Sequence, residues 1–504
     1  MDFDSAKWLK FKEIALKICT ISLKTHLKQE RVNRNSMSIN DCDHIQFESH
    51  NQAPSKAVCM RCPTIRSIKV AEALNAIKKA IESLNPGGLL IVLNPPQSAT
   101  IQAEGTEADL EESLKLFSKP YQSETSWRGI TRLARLAGFL PVKENGLSSD
   151  ELEILKSMDR EIFMRKNYIL FKKIDSSVSH LLPKVSLLTA AYRSDFFLRA
   201  AASAVSQTYP NFEWIICDEG VDQNFSKIVE AIAKEFPSIK LQYFKNPQPL
   251  GALGNILKCM SLATGKYIKF LDDDDFHEEN CMADFVSAFE AFEEYVSLVS
   301  SSRSLTNNKD EFLYVAGFPL INQTKNSFLL HGPQTISFCL NHAINWIGEP
   351  NAAMFRTADV VEGFAEIKTQ DYYGHLDFVM WINLLAKGNL FYFATPRVFY
   401  RRHPQQTIHN PKYMKIIIPV WYEMVKFAEE KYQILGSFYL KALMRAVEVF
   451  ESELKRCKQS LSQEDFAELS LKLKAAKSEA ADLLNKDQPV LAMNSVIGLE
   501  FNFC

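Results

Sequence analysis

From Val185 to Leu271 the chain alternates between two periods. Short, nearly continuous apolar runs lie at Val185 to Thr189, Trp214 to Asp218, Lys240 to Phe244 and Tyr267 to Leu271. Between them, Phe196 to Ser206, Asn224 to Phe236 and Asn255 to Ala263 carry apolar residues three and four apart. Such runs predict strands buried on both faces, and such spacing predicts helices that cover them. Strictly alternating strands and helices give an α/β fold, a mostly parallel sheet with helices on both sides. Upstream the pattern is weaker. Residues 1–64 stay unassigned apart from a possible helix at Ser5 to Leu27. Residues 65–174 read as a partial α/β domain, with helices at Ile68 to Leu84 and Trp127 to Ala137 and a turn at Asn85-Pro-Gly-Gly88. Its strands are expected at Leu89 to Leu93, Phe139 to Lys143 and Tyr168 to Lys172. A Ser-containing linker spans 175–183, the main domain 184–409, and a helical region 410–504.

Bulk properties narrow the function classes. The 504 residues are 46% hydrophobic and 23% charged, with a formal net charge of -2, so no basic footprint for nucleic acid exists. No apolar run approaches the roughly 18 residues of a membrane span. Met1 to Lys10 lacks the apolar core of a signal peptide. The expectation is a cytoplasmic protein, with peripheral attachment to the inner face of a membrane and homo-oligomerisation left open. Ten cysteines in so long a chain predict reduced thiols. Cys59 and Cys62, with Cys42 and His44 upstream, form the weaker alternative of a zinc site.

The chemistry concentrates at Tyr267-Ile-Lys-Phe-Leu-Asp-Asp-Asp-Asp275, where an apolar strand runs into four carboxylates. Adjacent anions repel unless a positive charge sits among them. A solvated acidic loop is the bland reading and a cation site at a strand end the sharper one. Open α/β sheets bind ligands beyond the carboxyl ends of their strands, and Asp218 also occupies such an end.

Several ordered segments resemble the family 2 glycosyltransferases, which have the GT-A (Rossmann-like) fold. They are Lys184-Val-Ser-Leu-Leu-Thr-Ala-Ala-Tyr192, Ala204-Val-Ser-Gln-Thr-Tyr-Pro-Asn-Phe-Glu-Trp-Ile-Ile-Cys-Asp218 and Ala263-Thr-Gly-Lys-Tyr-Ile-Lys-Phe-Leu-Asp-Asp-Asp-Asp275. Gly251, Gly254-Asn255, Ile347-Gly-Glu-Pro350 and Tyr400-Arg-Arg-His-Pro-Gln-Gln406 continue the likeness. The resemblance implies a nucleoside-diphosphate sugar donor and a saccharide or lipid-linked saccharide acceptor. It implies Mn2+ or Mg2+ held by Asp272, Asp274 and His403. Donor contacts are implied at Ala190, Ala191, Tyr192, Asp218, Gly251, Asn255, Asp273, Arg401 and Arg402. Asp218 is expected at the nucleobase, Asp273 at the ribose and Asp275 behind the loop. Asp377, four residues before Trp381, is the implied general base of an inverting transfer, with His375 as fallback. Leu376 stands where the family has glutamate. Residues 65–174 resemble the second half of a class I methyltransferase through Asn85-Pro-Gly-Gly88 and Leu136-Ala-Gly-Phe139, yet no glycine precedes Gly87. That segment is therefore expected to be structural. The rival functions are a non-catalytic sugar-nucleotide-binding scaffold and methyl transfer by the N-terminal region. A nucleotidyltransferase fits the 377 and 403 regions less well.

Overall fold

The computed structural model describes residues 182–222, 224–292, 295–318, 327–360, 376–406 and 413–491. Upstream it describes mainly strand backbone, at 46–50, 55–61, 68–69, 84–93, 124–125, 139–142 and 168–173. The expected helices at 5–27 and 127–137, and Cys42, His44, Cys62 and His375, lie outside the described residues.

Five upstream strands form a sheet in the order Gln46–His50, Ser55–Arg61, Leu84–Leu93, Tyr168–Lys173, Phe139–Val142. Only the second and third run parallel; the other neighbours are antiparallel. The expected turn at Asn85–Gly88 appears as an irregularity inside a longer strand, because the register jumps from Ser55/Leu84 to Ala57/Leu89. Ile68–Lys69, expected to open a helix, instead pairs with Glu124–Thr125.

The main sheet has ten strands. Four belong to the alternating segment, β1 (Val185–Ala191), β2 (Phe212–Asp218), β3 (Lys240–Lys245) and β4 (Tyr267–Phe270), and β5 (Phe276–His277), β6 (Val296–Thr306) and β7 (Phe312–Ala316) follow the acidic run. The others are β8 (Phe328–Leu330), β9 (Ala353–Arg356) and β10 (Asn389–Arg401). Their order is β3-β2-β1-β4-β9-β6-β10-β5, with β7 beside β6 and β8 beside β10. The first four are parallel, as the alternation predicts. Beyond β4 the sheet is mixed rather than mostly parallel, since β9 runs antiparallel to both β4 and β6 while β6 and β10 are parallel.

Helices α1 (Phe197–Val205), α2 (Phe225–Glu235), α3 (Gly251–Leu262) and α4 (Cys281–Phe292) connect these strands. β1 and β2 are buried almost throughout, which is why they read as continuous apolar runs. α1 buries Ala200, Ala201 and Ala204 and stacks Phe197 near Trp214 and Phe225, ring centroids 5.9 and 4.4 Å apart. α2 buries Phe225, Val229 and Ile232, one helical stripe.

At the amino ends of the parallel strands, Glu213 of β2 gathers five donors, among them Gln242 Nε2 at 3.2 Å. Ser186 Oγ donates at 2.6 Å and Thr264 N at 2.9 Å, joined by Thr264 Oγ1 and the Lys184 ammonium. Beside it Gly265 is obligatory, for a Cβ there would lie 2.6 Å from Ser186 N. Burial works to raise the Glu213 pKa, but these hydrogen bonds overcome it and hold the carboxyl below its usual value. The group is therefore ionised in the fold at pH values where the unfolded chain binds a proton. Its stabilisation is present above the unfolded pKa of about 4.3 and is lost as pH falls through the lower folded value. Glu213→Gln is expected to lower stability by about 1–3 kcal/mol at pH 7. The gap to wild type should narrow below pH 4, as read from urea unfolding at both pH values; an equal gap at both would reject the charged network.

A second compact unit comprises 330–346, 360–388 and 402–504. Its helices are α5 (Gly332–His342), α6 (Leu376–Leu385), α7 (Val420–Tyr432), α8 (Tyr439–Arg456) and α9 (Gln463–Leu491). The expected border at 409 therefore does not separate the two units: α5 packs on α6 and α8, and α6 packs on α7. α9 is tied in by Glu479, which accepts from Tyr422 OH at 2.7 Å and Tyr439 OH at 3.3 Å. No described helix is long and apolar enough to cross a membrane.

Candidate active site at the carboxyl ends of the parallel strands

The sheet order runs 3-2-1 and then turns to 4, so β1 and β4 flank the switch point where an open sheet leaves a crevice. Leu271 N donates to Leu188 O at 2.9 Å, extending that pairing to the last residue before the aspartates. Asp273 then closes over the end of β1. One oxygen of its carboxylate accepts Tyr192 N at 2.6 Å and Arg193 N at 2.9 Å. On the other side Glu219 N donates to Ala191 O at 3.0 Å. The acidic turn and the Asp218 corner therefore hold consecutive residues at the end of β1, Tyr192 and Arg193 by the one and Ala191 by the other.

Asp218 is fully buried. Its Oδ1 accepts Gly220 N at 2.8 Å and its Oδ2 accepts Tyr243 OH at 2.6 Å. Burial and this carboxylate push the Tyr243 pKa up. Gly220 has φ +75°, which a side chain would strain. Asp218, expected at a nucleobase, is held by these contacts at the β2–α2 corner. Asn255 is likewise held in place. Its amide donates to Cys217 O at 2.8 Å and Ala191 O at 3.3 Å, so it sets the spacing of the β1 and β2 ends. Gly251 begins α3 with φ +74°, and its N–H donates to Glu219 at 3.0 Å. Glu219 also accepts Leu250 N and Asn246 Nδ2, a carboxylate cap on the exposed donors of α3. This cap explains why α3 starts at Gly251 rather than at Asn255.

The four aspartates divide by environment. Asp272, Asp273 and Asp274 are half-buried and Asp275 is buried. Burial, then the neighbouring Asp274 and Asp273 charges, push the Asp272 pKa up to about 8. Burial and Asp274 push Asp273 up to about 7, against the two backbone donors. Asp275 is raised well above the carboxylate range by burial and the same neighbours. It accepts Arg401 N at 2.8 Å and Asn351 Nδ2 at 3.0 Å, so it stands behind the turn.

Lys269, three residues before Asp272, is the residue the sequence reading missed. It is fully buried, its ammonium donates to the carbonyls of Asn351 and Phe270, and it lies 5.4 Å from the Phe285 ring centroid. Burial lowers its pKa to about 8, opposed by Asp272 and Asp275 among others. The signal was a lysine between Ile268 and Phe270 in a strand expected to be covered on both faces. Asn351 was missed as well. Its amide donates to Asp275, so its Oδ1 accepts from His277 Nε2 at 2.6 Å, which fixes that imidazole as the Nε2–H tautomer. Burial holds His277 well below the usual histidine pKa, hence neutral.

Arg401 was expected at the diphosphate. Its guanidinium is buried, donates from Nε to Asp274 O at 2.7 Å, pairs with Asp310, and stacks 4.4 Å from the Phe196 ring centroid. In the second unit, Asp377 occupies the first turn of α6 and accepts Asn345 Nδ2 at 2.9 Å. Asn383 of the same helix accepts Tyr432 OH at 2.6 Å and Lys431 Nζ at 3.1 Å. His403 is buried, with its backbone N–H directed to Gln406 Oε1 at 3.4 Å, and Arg402 is exposed.

Among the described residues, no three His, Cys, Asp or Glu side chains make up a cation site by themselves. Asp272 and Asp274 nevertheless suit a hard divalent ion, since Mg2+ commonly takes one or two carboxylates and draws its other ligands from phosphates. Burial and mutual repulsion raise the Asp272 and Asp273 pKa values, a penalty on their charged forms that such an ion would offset.

Residues 186–344 match the family described as Glycosyl transferase family 2. The match begins after the upstream strands and lends no support to the methyltransferase resemblance of 65–174. The chain is 24% identical over 208 residues to the UDP-Glc:alpha-D-GlcNAc-diphosphoundecaprenol beta-1,3-glucosyltransferase WfgD of Escherichia coli, covering 41% of this chain and 71% of that one. It is 28% identical over 155 residues to the chondroitin synthase of Pasteurella multocida (strain Pm70), 29% of this chain but only 15% of the relative. The S. aureus TarS 1-349 structure with UDP-GlcNAc aligns over 59% of this chain and 88% of that one, at 12% identity and a TM-score of 0.38. The family 2 glycosyltransferase match over residues 186–344 and the names of these relatives support transferase activity.

Proposed function

We propose that the chain is a metal-dependent, inverting glycosyltransferase. It moves a sugar from a nucleoside-diphosphate sugar to a saccharide or lipid-linked saccharide in cell-surface polysaccharide synthesis. The observation that carries this reading is the pairing of Asp273 with the backbone of Tyr192 and Arg193, which sets the acidic turn beside the Asp218 corner at the switch point. Asp272 and Asp274 would hold Mn2+ or Mg2+, which supplies Lewis-acid neutralisation of the departing diphosphate. Around that position Ala190, Ala191 and Tyr192 line the donor side, with Tyr192 exposed enough to lie against a base. Asp218, Asn255 and Gly251 keep the walls of the crevice in place.

Arg402 and His403 are assigned to the diphosphate and the cation through the family resemblance, and Asp377 to the proton of the attacking hydroxyl. The relatives are named for transfer to a diphosphoundecaprenol-linked sugar and for chondroitin synthesis, which supports the acceptor class. An acceptor of the first kind would bring the protein to the inner face of a membrane as a peripheral enzyme.

The test is a panel of nucleoside-diphosphate sugars assayed for Mn2+-dependent release of nucleoside diphosphate. Turnover with at least one donor, abolished by chelation, is expected. Tight donor binding with no release from any donor would leave a binding protein instead. Asp377→Asn is expected to lower kcat at least ~100-fold with a smaller change in donor KM, the range for a lost general base. An Asn variant with wild-type kcat would remove Asp377 from the mechanism.

A further inference from the structure

We propose that Asp310 is a positioning residue for the cation-binding turn and acts through Arg401; this rests on the metal reading above. Arg401 grips the turn twice. Its backbone N–H donates to the Asp275 carboxylate at 2.8 Å, and its Nε donates to the Asp274 carbonyl at 2.7 Å. The second contact fixes the peptide immediately after the Asp274 side chain, and thereby the direction in which that carboxylate points.

The guanidinium is held in turn. It is 1% exposed, lies 4.4 Å from the Phe196 ring centroid and donates from Nη1 to Asn307 O at 3.4 Å and to Asp310. A second guanidinium shares the same acid, Arg199 Nε lying 3.8 Å from Asp310 Oδ2 and its group 4.2 Å from the Phe276 ring centroid. Two guanidinium groups, each against an aromatic ring, thus share the exposed Asp310 carboxylate, with Glu278 a further acid beside Arg199. Without Asp310 they repel, and Arg401 is the one whose displacement would release Asp274.

The β6–β7 hairpin is built to present this acid. Asn307 Oδ1 accepts Lys309 N at 2.8 Å and Glu311 N at 3.1 Å, closing the turn. Asp310 stands at φ +66°, a left-handed conformation that Asp and Asn tolerate better than other side chains. None of these groups belongs to the acidic run itself, and neither Asp310 nor Arg199 resembles any family motif quoted above.

The experiment titrates the full-length protein with Mn2+ in the presence of UDP or GDP, following the EPR signal of free Mn2+. Asp310→Asn should weaken Mn2+ binding about tenfold, the lower end for loss of an outer-shell partner. Adding Arg199→Gln should recover part of that loss, because one of the two repelling cations is gone. A merely structural role for Asp310 would show no such recovery. Arg401→Lys keeps the charge but loses the Nε donor to Asp274 O, and should weaken binding similarly even if Asp310→Asn fails to fold. Wild-type Mn2+ affinity in either folded single variant overturns the inference alone. Failure of the wild-type protein to bind Mn2+ with either nucleotide overturns the metal reading and the inference with it.

Discussion

Asp274→Ala is expected to lower Mn2+-dependent nucleoside diphosphate release by about three orders of magnitude, several kcal/mol of lost charge stabilisation. The fold should survive, because its core lies in the buried strands and α1 to α4 rather than in the turn. Stability should in fact move the other way when the crowding is relieved. Asp272 has a folded pKa of about 8 against about 3.9 unfolded. Between these values the native state holds a proton that the unfolded chain has released, so the group costs stability increasingly as pH rises. In EDTA, Asp272→Asn should therefore melt above wild type at pH 8, while the gain disappears near pH 3, where both forms of the chain are protonated. An inactive variant of higher Tm is the signature of a site kept at the expense of stability. If Asp274→Ala kept wild-type turnover with metal chelated, the proposed chemistry would fail. If Asp272→Asn melted below wild type at pH 8, the crowding account would fail.

The first half of the main sheet was legible because burial on both faces writes itself as apolar runs. Val185 to Ala191 and Phe212 to Asp218 have almost no polar position facing water. The second half was not legible. β6 is buried along all eleven residues, yet it contains Ser297, Ser300, Ser301, Ser302, Arg303 and Ser304. Its hydroxyls are satisfied inside, Ser300 Oγ donating to Ile347 O at 2.6 Å and Ser302 Oγ lying 3.2 Å from Tyr392 OH. Hydropathy reads such a strand as a loop, because it sees the polar atoms and not their partners. The division into units escaped for a related reason: α5 and α6 are interleaved in sequence with β8, β9 and β10 but belong with the C-terminal helices.

At the site, motif reading supplied residue types without saying which way they face. Asp272 to Asp275 and Asp218 stand at the expected strand ends, but Asp218, Asn255 and Arg401 are held by contacts within the protein. Glu219 follows Asp218 directly, and its side chain reaches the first amides of α3. The positive charge that four adjacent carboxylates demand was visible in the sequence as Lys269. Strand alternation places it on one face, but only the packing of Asn351 and Phe285 shows that this face is closed.

Lys269→Met is accordingly expected to destabilise the metal-free protein by about 3–5 kcal/mol, the cost of removing one member of a buried charge group. Methionine fills much the same volume, so the loss should be electrostatic rather than a cavity effect. Two consequences separate this from ordinary core damage. The Asn351 carbonyl loses its donor, a cost that no solute can repair. The acidic cluster loses its internal counter-charge, a deficit that a divalent cation can make good. The Tm measured in EDTA should fall by about 10 °C. The increment in Tm on adding Mn2+ should be larger in Lys269→Met than in wild type, since binding to the folded state alone stabilises by mass action and the variant attracts the cation more strongly. Equal increments would mean that Lys269 supports Asn351 only and that its charge is irrelevant to the aspartates. A larger increment would show that the lysine and the cation compensate the same negative charge, one from inside the sheet and the other from the crevice.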